Sequence, residues 1–121
     1  MGTETSESIG EFEPMRNEYG EKLDKNGYAP SILQTDTEHC WLCGCCDQKL
    51  DRHEPFNGPY REKSKRYGMW ITLCHERCHF GKAHKDFQVA LTLRRVIQAR
   101  AMHYYNWSTE EFIKRFGKNW L

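Results

Sequence analysis

Hydrophobic and polar positions divide the chain into stretches of different rhythm. Residues 1–27 are rich in Glu, Gly, Ser and Thr and almost free of periodic apolar positions, which predicts a disordered or loosely attached leader. Tyr28, Ile32 and Leu33 are the first apolar groups of a domain expected over residues 28–121. Residues 48–54 and 67–73 read as strands, the second being aromatic and β-branched from Tyr67 to Leu73. Between them Pro55-Phe56-Asn57-Gly58-Pro59-Tyr60 cannot continue a strand. From Lys85 to Tyr105 the apolar positions Phe87, Ala90, Leu91, Leu93, Ile97, Ala101 and Tyr104 keep a helical period without Gly or Pro. A last helix carries its own start and stop: Ser108 as N-cap, Glu111 for a capping box, Trp107 with Phe112 as a hydrophobic staple, and Gly117 at the end.

This pattern predicts one α+β domain. At 121 residues with 38% hydrophobic content, its core should be thin, and a metal staple would help it. Net charge is only +1, but it is unevenly spread: residues 1–27 hold seven acids and three bases (net −4), leaving +5 on residues 28–121. No stretch approaches the roughly 18 apolar residues of a membrane span, and Met1 to Gly10 lacks the features of a signal peptide. The expectation is a soluble cytoplasmic protein with no membrane partner.

Cysteine spacing changes the picture. Cys40-Trp41-Leu42-Cys43-Gly44 reads as a zinc knuckle, with Gly44 free to take the positive φ such a turn needs. A structural zinc wants four ligands, and Cys74 and Cys78 can supply the second pair. Cys43 with Cys46 offers a competing register. In Cys74-His75-Glu76-Arg77-Cys78-His79, the two cysteines share one helical face and His75 and His79 the neighbouring one. His79 would then point toward His53 of Asp51-Arg52-His53-Glu54-Pro55 on the hairpin. His84 follows closely enough to be a further ligand or a solvent-facing residue. Arg61, Lys63, Lys65 and Arg66 form a basic connection between the strands, either a solvated surface or a phosphate-binding one.

A knuckle, a hairpin with a histidine beside an acid, and a helix opening on Cys-x3-Cys-His resemble the HNH (ββα-metal, or His-Me finger) endonuclease family. The resemblance is closest to the small HNH-type proteins of bacteriophages and prophages in Firmicutes. It covers Ser31 to Leu121, through Ser31-Ile32-Leu33-Gln34, the Cys40 knuckle, Arg52-His53-Glu54, the Arg61-to-Leu73 region and the closing Phe116-Gly117-Lys118-Asn119-Trp120-Leu121. It implies a zinc-stapled ββα-metal core with C-terminal packing helices. The implied activity is nicking or cleavage of DNA by a divalent cation, Mg2+, Mn2+ or Ni2+, in a bacterial host cell. His53 and His79 would hold that cation, with Asp51 and His84 in reserve.

Aligned through Gly58, His53 takes the metal place of the family's hairpin pair and Glu54 the place of the base. Alternatively His53 is the base and Glu54 or Asp51 holds the metal. The helix start has one residue more than the usual Cys-x-x-Cys-His, which either the turn absorbs or a ligand change to His75 resolves. The other functional reading is a non-catalytic zinc module that binds DNA or other phage proteins.

Overall fold

The computed structural model describes residues 15–121. It is a small α+β fold around a two-stranded antiparallel sheet. Strand β1 (Leu50–His53) pairs with β2 (Ile71–Cys74) in a register that sets Leu50 against Cys74 and His53 against Ile71. Both strands are shorter than the sequence suggests. Gly68 takes φ +69, and the Gly68 and Met69 N–H groups are spent on the carbonyls of Lys65 and Ser64, so Tyr67–Trp70 turns out of a helix before β2 begins. Gly68 also passes against the Pro30 carbonyl, where a Cβ would not fit.

The connection between the strands is a 3-10 turn (Gly58–Tyr60) leading into helix α1 (Arg61–Arg66). Ser64, buried in α1, donates to the Phe56 carbonyl at 2.6 Å and so fixes the helix over the hairpin. The free edge of β2 is covered by Gln34. Its Oε1 accepts from Thr72 N at 2.9 Å, and its Nε2 donates to Thr72 Oγ1 and the His39 carbonyl, each at 2.8 Å. Such a side chain occupies the ladder positions that a further strand would use.

After β2 the chain winds into a π-helix, His75–Ala83, then helix α2 (Phe87–Tyr105) and helix α3 (Thr109–Phe116). Asp86 caps α2 by accepting from Gln88 N and Val89 N, and Asn106 ends it at φ 59. The buried face of α2 is Leu93, Ile97, Gln98, Ala101 and Tyr105, whereas Phe87 and Tyr104, expected in the core, are exposed. Ser108 caps α3 through Glu111 N at 3.0 Å, but the Glu111 carboxylate turns forward to Arg115 at 2.7 Å instead of closing the capping box.

The core has two parts. One is aromatic, built from Phe56, Tyr67, Tyr105, Trp107, Phe112 and Phe116 with Ile97 and Met69. The other surrounds Cys40, Cys74 and Cys78 with Ile71, Leu73 and Leu93. The loosely attached leader expected over residues 1–27 needs correction for residues 15–27; residues 1–14 lie outside the described part. Buried Asn17 donates to the Arg66 carbonyl at 2.8 Å and accepts from Tyr19 N and Glu21 N. Tyr19 packs on Tyr105 with ring centroids 4.6 Å apart, and Asp24 pairs with Arg52 at 3.0 Å. This segment belongs to the domain because its polar groups are satisfied by the domain's own backbone and its tyrosine by the aromatic core.

Candidate metal centres and the histidine cleft

The knuckle forms as its spacing predicts. Gly44 N donates to the Cys40 carbonyl at 2.8 Å with Gly44 at φ +78, and Cys43 N points at Cys40 Sγ at 3.5 Å. Trp41 N bonds the Thr72 carbonyl at 2.8 Å and docks the knuckle on β2. The sulfurs of Cys40, Cys43, Cys74 and Cys78 consequently lie within 4.8 Å of one another. Four converging thiols are the donor set of a structural zinc site, and this cluster could hold Zn2+. The geometry takes the Cys40/Cys43 register, and Cys46 is an exposed residue outside the group. The Cys45 N–H and the Arg77 guanidinium, 3.4 Å from the sulfur, bring the Cys43 thiol down to about 5. Both partners favour the thiolate that a metal requires.

The extra residue between Cys74 and His79 is absorbed by the π-helix. Its wider turn bonds residues five apart, as His84 N does to the His79 carbonyl at 3.1 Å. His79 and His84 therefore lie on one side, with their rings tilted and their Nε2 atoms 3.1 Å apart. β1 ends beside them and contributes His53, so that His53, His79 and His84 offer ligand atoms within 4.8 Å of one another. The donors fit a borderline divalent ion, since all three are imidazoles. His53 is buried, and burial, with the nearby charges of His79, His84 and Arg94, lowers it to about 3. It stays neutral and able to donate a lone pair across the physiological range. Burial and His79 lower His84 in the same sense.

Asp51, expected as a ligand, stands behind this group. One oxygen, Oδ2, accepts from His75 Nδ1 at 2.6 Å and His79 Nδ1 at 2.9 Å. Burial raises its pKa, but these two bonds outweigh burial and hold it below the usual carboxylate range. By taking Nδ1 of His79, Asp51 leaves Nε2 facing His84. His75, sharing the same carboxylate, is outside the three-histidine group.

Glu54 is also turned away from the cluster. Its buried carboxylate is divided between the Tyr28 hydroxyl at 2.6 Å and Arg61 Nε at 3.2 Å. The rest of the expected basic patch is similarly engaged: Lys63 donates to the Arg115 carbonyl, Lys65 to Glu62 and Arg66 to Glu18. Among the described residues, Arg61, Lys65 and Arg66 are thus paired with carboxylates, and Lys63 with a carbonyl alone. The cations beside the histidines are Lys85 and Arg94, on a cleft of about 290 Å³ that His53, His84 and Asn57 also line. Arg94 escapes a reading by motif, although one signal was present: it interrupts an apolar face in step with Ala90, Ile97 and Ala101.

No family model, curated protein or solved structure matches this chain. Among the described residues no helix is long and apolar enough to cross a membrane.

Proposed function

We propose that the protein is a metal-dependent DNA endonuclease of the HNH, or ββα-metal, type, with a zinc-stapled core and a second divalent cation at the histidines. The observation that carries this reading is the convergence of His53 from a hairpin strand with His79 and His84 from the following helix, beside a cleft bearing Arg94. A cation bound there would supply charge stabilisation for a phosphodiester and its departing oxygen. Asp51 orients His79 for that role, and neutral His53 completes the ligand set. Three imidazoles and no carboxylate favour Ni2+ most, Mn2+ less and Mg2+, which wants oxygen ligands, least. A second reading, a non-catalytic DNA-binding or phage-assembly module on the same fold, is favoured by one feature: Tyr28 and Arg61 occupy the carboxylate that the family resemblance puts in the base place.

Supercoiled plasmid incubated with Mn2+, Ni2+ or Mg2+, against EDTA and His79→Ala controls, separates the two. We expect nicking with Mn2+ and Ni2+, reduced by about 100-fold or more in His79→Ala, the scale of losing a metal ligand or its orientation. Nicking that survives His79→Ala would remove the histidine site from the chemistry. Its absence with every metal would leave the binding module.

A further inference from the structure

The histidine cleft does not end at Arg94. A second cleft, of about 300 Å³, shares Asn57 and Arg94 with it and runs on to Lys118 and Trp120. The two clefts adjoin at Asn57 and Arg94, and side by side they span the surface from the histidines to the C-terminal hexapeptide. Lys85, Arg94 and Lys118 lie along them, and among the described residues the single acid on their walls, Asp86, has its carboxylate turned to the N–H groups of α2.

Arg94 stands where the two clefts meet. Its Nε donates to the Pro55 carbonyl at 3.2 Å and its guanidinium lies 4.8 Å from the Trp120 ring centroid. Among the described residues no carboxylate pairs with it and no protein group accepts from its terminal nitrogens. A half-buried guanidinium oriented by a carbonyl and an aromatic face, with both terminal nitrogens free to donate, suits a phosphate oxygen pair.

The hexapeptide fixes this arrangement. Gln98, buried in α2, donates to Asn119 Oδ1 at 2.8 Å and accepts from Trp120 N at 2.9 Å, while Arg95 Nε donates to the Trp120 carbonyl at 2.9 Å. Trp120 is thereby clasped to the helix that carries Arg94, and the same ring takes Lys118 Nζ at 4.3 Å from its centroid. We infer that the adjoining clefts are the track for a DNA backbone, in which Arg94 and Lys118 grip phosphates and the Asn119-Trp120 clasp positions Arg94. The choice of DNA as occupant rests on the nuclease reading; the track rests on the adjoining clefts and their cations.

Binding of a fluorescein-labelled duplex to zinc-loaded protein, with no other divalent cation added, tests it by anisotropy across a salt series. Arg94→Gln should weaken binding by about tenfold and flatten the dependence of log K on log salt by about one unit, as loss of one phosphate contact requires. Lys118→Ala, on an exposed side chain that leaves the fold untouched, should flatten it similarly. Trp120→Ala should weaken binding several-fold with Arg94 intact, and Trp120→Phe, which keeps an aromatic face, should restore most of it. Wild-type affinity and slope in both Arg94→Gln and Lys118→Ala would overturn the track even if the plasmid is nicked. Failure of the wild-type protein to bind the duplex would also overturn it. Arg94-dependent binding without nicking under any metal would retire the nuclease reading and leave the track standing.

Discussion

Asp51 shows how much of a site can depend on one carboxylate that need not touch the ion. A single oxygen receives Nδ1 of both His75 and His79, fixing the His79 ring and leaving its other nitrogen for a metal. Asp51→Asn keeps the size but removes the charge that holds two imidazoles together. We expect it to lower Mn2+ or Ni2+ affinity at the histidines by about 10- to 100-fold, the usual cost of losing such a partner, while zinc content stays unchanged. Competition titration with elemental analysis checks both. Glu54 gives the opposite expectation. Its carboxylate holds Tyr28 and Arg61 together within the fold, so Glu54→Gln should cost about 1–3 kcal/mol in denaturant unfolding. Nicking per folded molecule should remain within about threefold, because no proton transfer is assigned to Glu54. A loss of two orders of magnitude at unchanged stability would return the base to Glu54.

The elements explain which parts of this were legible in the sequence. The four-cysteine group follows from two short spacings and a glycine, because a knuckle is local geometry that Cys40, Cys43 and Gly44 specify among themselves. His53 and His79 were readable because a strand end and a helix start are recognisable. The π-helical turn was not, since nothing local distinguishes it from an α-helix, and it decides that His84 rather than His75 joins them. Nor was the docking of residues 15–27, where polarity suggested disorder while Asn17 and Glu18 have partners distant in sequence. For Glu18, burial raises the pKa, but bonds from Tyr67, from the backbone and from Arg66 outweigh it and bring the group from 4.5 to about 2. A carboxyl depressed in the folded state adds stability that is complete above its ordinary value and is lost as pH falls through its folded value. Docking of this segment should therefore weaken between about pH 4.5 and pH 2, read from hydrogen exchange over residues 15–27. Glu18→Gln should reduce that dependence to the part contributed by Asp24, whose pKa burial raises but bonds to the backbone and Arg52 hold down. A profile unchanged by the substitution would assign the transition to Asp24.

At the scale of the whole molecule, the two halves of the core differ in how they are held. Aromatic packing of α2 against α3 buries Phe112 and Phe116 at 0% and 2% exposure, in a half built from apolar and aromatic side chains. The other half contains Cys40, Cys74 and Cys78 among a few aliphatic side chains. Without an ion, its four free thiols would face one another at close range with no disulfide between them. Zinc bound there would contribute directly to folding, because the unfolded chain has no preformed site. The histidine centre depends on this half, since Cys78 is followed immediately by His79 and Cys74 ends the strand that pairs with His53's own. Removing zinc with a strong chelator should therefore lower the melting temperature by about 10 °C or more. It should also abolish metal binding at the histidines. Hydrogen exchange should accelerate over residues 39–46 and 74–84, while α2 and α3 keep their protection near Phe112. Cys78→Ser should reproduce this pattern. His84→Ala, by contrast, should empty only the histidine centre and leave exchange at the knuckle unaltered. Uniform loss of protection across both halves after chelation would show a single cooperative core, with zinc holding the aromatic half as well.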